Sequence, residues 1–308
     1  MTHKKVPQVC VFDRITRTTF KTGINNVAAE RDFNRFETDG QDPNAIERAM
    51  AAFETELSDA LERIVANKAI NNPDDRAYLL NFIGLMAIRT PRFRETTGAA
   101  LVQTAKIAMD LILQSKQSYE RHLKGARDSG TLLPDVNYED MKRMFDAGGF
   151  AVEANREYQI QQELQLFDKV LPLLFERGWH LLRAPASSAG FITSDHPFSL
   201  FWSDPKMRRG PYGPGLGLPN TEIVFPVSPR LAVIGAFELS DGAREVTEEV
   251  VASINGATVA TAQRQVYSRD HNFTYLMQYN EPQRKGSRLV HDPNFIRQRK
   301  VGESGSEG

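Results

Sequence analysis

The chain of 308 residues carries 38 lysine and arginine residues against 39 aspartate and glutamate residues, and 41% of its residues are hydrophobic. This composition is that of a globular protein with a substantial core, and the formal charge of −1 excludes a basic nucleic-acid footprint across the whole chain, although a local basic patch stays open. Cys10 is the single cysteine, so the sequence excludes an intramolecular disulfide and a cysteine-based zinc site.

No apolar run approaches the roughly 20 residues that a membrane-spanning helix needs. The first residues also lack the apolar core of a signal peptide. We therefore expect a cytoplasmic protein with no membrane association.

The first element in chain order is a β-hairpin over residues 8–22, where two strand-like runs flank a turn. A series of helices follows, each identified by apolar residues at spacings of three and four. They are predicted to begin near Pro43, near Pro73, near residue 96, at Tyr138 and near Val152, the last one ending at Gly178.

Short β-type runs then replace the helical pattern, at 179–183, 190–193, 198–202, 221–227 and 231–238. A helix over about 244–266 and a strand over about 272–278 complete the pattern. Because helices and strands are grouped and do not alternate, the sequence predicts an α+β fold.

The predicted architecture is a single domain over residues 1–280. In it, the hairpin at 8–22 and strands within 179–278 form an antiparallel or mixed sheet, packed against a helical section at 42–177. Residues 281–308 are polar and end in Gly-Glu-Ser-Gly-Ser-Glu-Gly, a composition that predicts a disordered tail.

Several segments resemble the bacterial family called domain of unknown function 4238. The segments are Asn26–Phe33, Arg89-Thr90-Pro91-Arg92, Phe191–Pro197, Thr221–Pro229 and Ile254-Asn255. The resemblance covers roughly residues 8–280 and implies no established activity. Members of the family typically begin with a His-His-Tyr-x-Pro segment, for which this chain has only His3-Lys4-Lys5-Val6-Pro7.

The main candidate site is the turn Ser194-Asp195-His196-Pro197, which directly follows an apolar run. Strand ends followed by short polar loops commonly carry functional groups. Asp195 is interpreted as a general base, a metal ligand or an arginine partner, and Ser194 and His196 as substrate contacts. The alternative is a structural turn whose side chains accept backbone N–H bonds.

Arg89 lies on the apolar stripe of the second helix, in step with Met86 and Phe93. A buried guanidinium needs an anionic partner. One interpretation is an ion pair that ties the helices to the sheet. The other is a phosphate clamp shared with Arg92.

Glu30-Arg31-Asp32 is either a solvated charged turn or a second part of the site. With Asp195, the two carboxylates would suffice to hold Mg²⁺, which prefers oxygen ligands. Arg31 is then a further substrate contact.

These residues lead to two functional hypotheses. The first is a metal-assisted phosphodiester hydrolase, nuclease-like, acting on a nucleic acid or a phosphate-containing small molecule. In it Glu30, Asp32 and Asp195 hold the metal, and Arg89 and Arg92 neutralise charge on the phosphate. The alternative is a non-catalytic binding or regulatory module whose charged cluster is structural or grips a small anion. The sequence does not decide whether the chain is an enzyme, nor does it give the oligomeric state.

Overall fold

A small four-stranded sheet gathers strands from both ends of the chain. The hairpin consists of β1 (Gln8–Asp13) and β2 (Thr18–Gly23). Its inner strand pairs with β9 (Gln265–Ser268), and β9 pairs with the two-residue β4 (Thr193–Ser194), giving the order β2-β1-β9-β4. All three pairings are antiparallel. The predicted union of the hairpin with later strands is thus found, through β9 and β4.

The computed structural model describes residues 7–27, 45–88, 91–130, 136–148, 156–204, 206–207, 210, 212–277 and 282–296. Its described residues combine helices with antiparallel and mixed sheets, which confirms the predicted α+β class. The structure divides into two compact units, Met1–Thr90 with Glu163–Gly308 and Pro91–Gln162. The single domain over residues 1–280 stays a prediction.

A separate five-stranded sheet forms the larger layer of the first unit. Its strands are β3 (Gly178–Arg183), β5 (Ser199–Trp202), β6 (Thr221–Ser228), β7 (Leu231–Ala236) and β8 (Gly242–Glu245). Their order is β5-β6-β7-β3-β8, antiparallel except for the parallel pair β3–β8. The later strands therefore divide between two sheets, because β4 pairs with β9 and not with its sequence neighbours.

Helices α1 (Ala45–Asn67) and α2 (Pro73–Ile88) cover this sheet through one core. Ile83 is fully buried among sheet residues such as Leu181, and the Phe82 ring packs edge-on against Phe225 at 5.4 Å. Each such buried aliphatic side chain contributes about 1.5–3 kcal/mol to folding.

The second unit contains α3 (Pro91–Ile112), α4 (Lys116–Asp128) and α5 (Tyr138–Asp146). The sequence pattern predicts a single helix that begins near residue 96, whereas Ser115 accepts a hydrogen bond from the Ser118 amide and begins a new helix there. Helix α6 (Arg156–Phe175) crosses the division between the units.

The last elements are α7 (Glu248–Thr261), β10 (Thr274–Tyr275), β11 (Arg284–Lys285), a 3₁₀ helix (Gly286–His291) and α8 (Pro293–Ile296). The structure differs here from the expected disordered tail, because Leu289, Val290 and Phe295 are buried in a core with Phe12 and Val266. Three apolar anchors spaced along a polar segment are enough to fix it to a core that other elements have already built. Average composition does not register such anchors.

Arg177 is a buried cation that ties α6 to the five-stranded sheet, and it is 1% exposed. It donates to the carbonyl and hydroxyl oxygens of Thr221 and to the carbonyls of Leu216 and Gly235, and it lies 4.1 Å from the Phe237 ring centroid. Burial lowers the pKa of Arg177, and the charge of Glu238 opposes that effect. The Gly/Pro-rich loop at 210–219 is anchored by its Leu216 carbonyl.

Candidate functional site

Asp195 follows the last residue of β4 and binds the connection between α7 and β9. Its Oδ1 accepts the amide of Gln263 at 2.8 Å, and its Oδ2 accepts the amides of Arg264 at 2.6 Å and Gln265 at 2.9 Å. The Asp195 amide in turn donates to the Gln265 carbonyl at 3.0 Å. Charge-assisted bonds of this kind are about twice as strong as neutral ones, so the carboxylate fixes this connection.

Asp13 ends β1 and binds the same connection through side chains. Its Oδ2 accepts the Arg264 Nε at 2.7 Å and the Gln265 Nε2 at 2.9 Å, while Oδ1 accepts the amides of Ile15 and Thr16. Burial alone would raise the pKa of Asp13, but hydrogen bonds, led by those of Gln265, Thr16 and Arg264, outweigh it and hold that pKa below its ordinary value. Asp13 is therefore an ionised, buried carboxylate.

The two carboxylates bind Gln265 from its two sides. Asp13 pairs directly with Gln265 across β1 and β9, and Asp195 is hydrogen-bonded to Gln265 from the other side. Adjacent strands are about 4.8 Å apart, so the backbones of Asp13 and Asp195 are separated by about 10 Å. The space between them is filled by Gln265.

Arg14 adds a buried cation beside Asp195. Its Nη1 donates to the Gln263 carbonyl at 3.1 Å and its Nη2 to the Val259 carbonyl at 3.3 Å, so it satisfies the C-terminal end of α7. The guanidinium carbon lies 4.9 Å from the Phe295 ring centroid. Burial lowers the pKa of Arg14, and the charge of Asp195 opposes that effect.

Ser194 and His196 form the turn around Asp195. The His196 amide donates to the Ser194 Oγ at 3.2 Å, and the His196 carbonyl accepts from Thr261 Oγ1 at 3.2 Å. Ser194 is 6% exposed. These contacts are those of the structural turn that the sequence offered as the alternative to a substrate contact.

Asn255, in the middle of α7, holds the backbone that leads into this turn. It is fully buried, accepts the Ile192 amide through Oδ1, and donates through Nδ2 to the carbonyls of Gly190 and Thr274. Gly190 has φ of 96° and packs against the Pro229 carbonyl, so a side chain there would be strained and would clash.

The other predicted site residues lie outside the described part of the chain. These are Glu30, Arg31, Asp32 and Arg89, and also the side chain of Arg92, whose backbone belongs to the first turn of α3. The predicted cleft that joins them to Asp195 stays a prediction, as does the Mg²⁺ site. Among the residues that are described, no three histidine, cysteine, aspartate or glutamate side chains are grouped so as to hold a metal ion.

Sequence reasoning missed Asp13, Arg14, Arg264 and Gln265. A signal existed for the first two, because Asp13-Arg14 follows the apolar run Val9–Phe12 just as Asp195 follows Phe191-Ile192. Nothing in the sequence marks Arg264 and Gln265, whose role depends on strand pairing across about 250 residues.

Around the small sheet, the aspartates are buried or half-buried, whereas most of the arginine and lysine residues are exposed. We define the basic lobe as residues 7–27, 193–196, 263–277 and 282–296, which contain eight arginine or lysine residues, four aspartates and no glutamate, a formal charge of +4. Asp13 and Asp292 are buried, and Asp195 and Asp270 are half-buried. The exposed charges are Arg17, Lys21, Arg264, Arg269, Lys285 and Arg288.

The comparison with known families decides the classification. A family model described as Protein of unknown function (DUF4238) matches residues 2–272. The chain belongs to the DUF4238 family. No curated protein and no solved structure matches this DUF4238 chain. Among the described residues, none of the helices has the length and apolar character that crossing a membrane requires.

Proposed function

We propose that this DUF4238 protein is a binding module for phosphate-containing polyanions, most concretely nucleic acid. The observation that carries the proposal is the arrangement of charge in the basic lobe. Its aspartates accept hydrogen bonds from protein N–H and O–H groups, whereas six of its eight cations are exposed. Lys and Arg side chains on one region of a surface provide most of the affinity for a phosphate backbone.

Three of the four aspartates of the lobe are bound by groups of the small sheet and its neighbours, and the fourth, Asp270, accepts the Asn272 amide and pairs with Arg269 at 3.5 Å. Asp292 accepts hydrogen bonds from the Tyr275 hydroxyl and from Arg284, both at 2.7 Å, just as Asp13 and Asp195 hold the connection at 263–265. Carboxylates committed in this way do not face a ligand. The exterior of the lobe therefore attracts anions although the whole chain has a charge of −1.

Lys21, Arg269 and His271 form the part of the lobe best suited to a first phosphate contact. Lys21 is directly opposite Cys10 in the β1–β2 register, and the Cys10 Sγ lies 3.7 Å from the Arg269 carbonyl and 4.0 Å from the His271 Nδ1. All three side chains are exposed. The Arg269 contact to Cys10 is made by its backbone carbonyl, while its guanidinium pairs with Asp270 at 3.5 Å. Burial raises the pKa of Cys10, to which we assign no chemical role.

The metal-assisted hydrolase is the competing hypothesis. It requires an Asp195 carboxylate available to a metal, whereas that carboxylate already accepts three backbone N–H groups of the roughly four that its lone pairs permit. Glu30 and Asp32 would have to provide most of the ligands. The observed contacts of Asp195 support the binding module over this mechanism.

Fluorescence anisotropy with labelled single-stranded and duplex oligonucleotides tests the proposal. We expect binding that is lost on reversing Lys21 and Arg269 together (K21E with R269E) and kept on reversing Lys169 and Arg244, two exposed cations outside the lobe (K169E with R244E). Equal loss in both double variants would contradict a specific surface. Mg²⁺-dependent cleavage of the oligonucleotide that disappears in Asp195→Asn would favour the hydrolase.

A further inference from the structure

A groove of about 590 Å³ lies between α1 and α2, in the first unit and separate from the basic lobe. Its size is within the range of small-molecule sites, about 300–1,000 Å³. It is lined by Phe53, Glu56, Arg63, Asn72, Asp74, Ala77, Tyr78 and Asn81.

The apolar part of the groove is an aromatic pair. The Phe53 and Tyr78 rings lie 6.0 Å apart at an interplanar angle of 45°, and both side chains are half-buried. A pair of tilted rings presents π faces, which attract cations within about 6 Å of a ring centroid.

The one arginine in the lining is already neutralised. Arg63 donates through Nε at 3.0 Å and Nη2 at 2.7 Å to Oδ1 of Asp75, a carboxylate that is 4% exposed. Hydrogen bonding to Asp75 raises the pKa of Arg63, and the charges of Asp59 and Glu56 act in the same direction. This ion pair forms one wall and leaves no net positive charge there.

The remaining charges in the lining are Glu56 and Asp74. No described residue forms a hydrogen bond or ion pair with either carboxylate group, and both side chains are exposed. The Asn81 Nδ2 donates to the Ala77 carbonyl, which leaves its Oδ1 as an acceptor. The lining thus combines two carboxylates, an amide oxygen and two aromatic rings.

We propose that this groove binds an organic cation of side-chain size, an alkylguanidinium or alkylammonium group, held by Glu56 and Asp74 and stacked on Tyr78 and Phe53. A planar guanidinium suits this lining best, because it stacks on aromatic faces and pairs with carboxylates through parallel N–H groups. The group belongs either to a free small molecule or to an arginine of a partner protein.

Nuclear magnetic resonance titration with blocked arginine (N-acetylarginine amide) tests the proposal. The neutral isostere N-acetylcitrulline amide is the matched ligand control. We expect saturable amide shifts at Ala77, Tyr78 and Asn81 with the arginine probe and none with citrulline. Equal shifts with both probes, shifts confined to other residues, or no saturable binding would each overturn the proposal.

Substitutions test whether Glu56 and Asp74 hold the cation. Glu56→Gln and Asp74→Asn should each weaken binding about three- to fivefold, as expected for one exposed ion pair. Glu54→Gln removes an exposed carboxylate of α1 that does not line the groove and should leave binding unchanged. If Glu54→Gln weakened binding of the arginine probe as much as Glu56→Gln does, the effect would come from net charge alone, and the proposed site would be overturned.

The source of the cation is decided by two further probes, agmatine and a glycine-flanked arginine peptide. Tighter binding of agmatine indicates a free small molecule, and tighter binding of the peptide indicates an arginine of a partner. Either result supports the proposed chemistry. A negative result in these titrations would not bear on the oligonucleotide experiment, because the groove and the basic lobe share no residue.

Discussion

Asp13 and Asp195 hold the dipeptide Arg264-Gln265 from two sides, Asp13 through the side chains and Asp195 through the backbone amides. Asp13 ends β1, Asp195 directly follows β4, and Gln265 begins the strand between them. The residue that the sequence marked as a catalytic candidate therefore closes a structural junction.

Replacement of Asp195 by asparagine should destabilise the protein by about 2–3 kcal/mol, because the amide that replaces one oxygen cannot accept a backbone N–H group. Thermal or urea unfolding measures the effect. Asp204→Asn is the matched control, since the exposed Asp204 carboxylate accepts one backbone N–H, that of Lys206. Equal stability of Asp195→Asn and the wild type would return Asp195 to the catalytic hypothesis.

We expect the stability of the basic lobe to fall in acid, because the carboxylates of Asp13 and Asp292 are then protonated. Burial alone would raise the pKa of Asp292, but hydrogen bonds from Arg284, Tyr275 and Asn294 outweigh it and lower that pKa, as happens for Asp13. A lowered folded-state pKa contributes stability above the unfolded value of about 3.9 that is lost as pH falls through the folded value. We expect the free energy of unfolding to fall below about pH 4, and to fall less in Asp13→Asn and Asp292→Asn than in the wild type. Parallel pH profiles in all three proteins would show that these carboxylates carry no such linkage.

Phe295→Ala should cost about 3–5 kcal/mol, because the ring is fully buried in the core of the small sheet and contacts the Arg14 guanidinium. His291→Ala, at an exposed position of the preceding 3₁₀ helix, should cost under about 0.5 kcal/mol. Denaturant unfolding measures both. A small effect of Phe295→Ala would mean that the segment at 284–296 is dispensable for folding.

Arg177→Met should destabilise the first unit by about 3 kcal/mol or more, because it removes the donors to the oxygens of Thr221 and Leu216 while these stay buried. Lys169→Met, at an exposed position of α6, the helix that ends just before Arg177, provides the comparison. A stability of Arg177→Met within error of Lys169→Met would contradict the structural role of this cation.

The sequence predicted what depends on local pattern and missed what depends on distant pairing. The strand end before Asp195, the boundaries of α2 near Pro73 and of α5 at Tyr138, and the α+β class follow from periodicity and from turn residues. The partners of Asp195 could not be predicted, because Gln263, Arg264 and Gln265 reach it only once β9 has paired with β1 and β4. Arg177 was missed for the same reason, since its acceptors lie on a loop and on two strands that come together by sheet formation.

The salt dependence of oligonucleotide binding tests the central claim most directly. A surface that contacts phosphates gives a linear fall of log affinity with log salt, with a slope of about −0.9 for each phosphate contact on duplex DNA. We predict that reversing Lys21 and Arg269 together reduces the steepness of this slope by about two contacts, while reversing Lys169 and Arg244 leaves the slope unchanged. Identical slopes for the wild type and the Lys21/Arg269 double variant would contradict a phosphate-binding surface on the basic lobe.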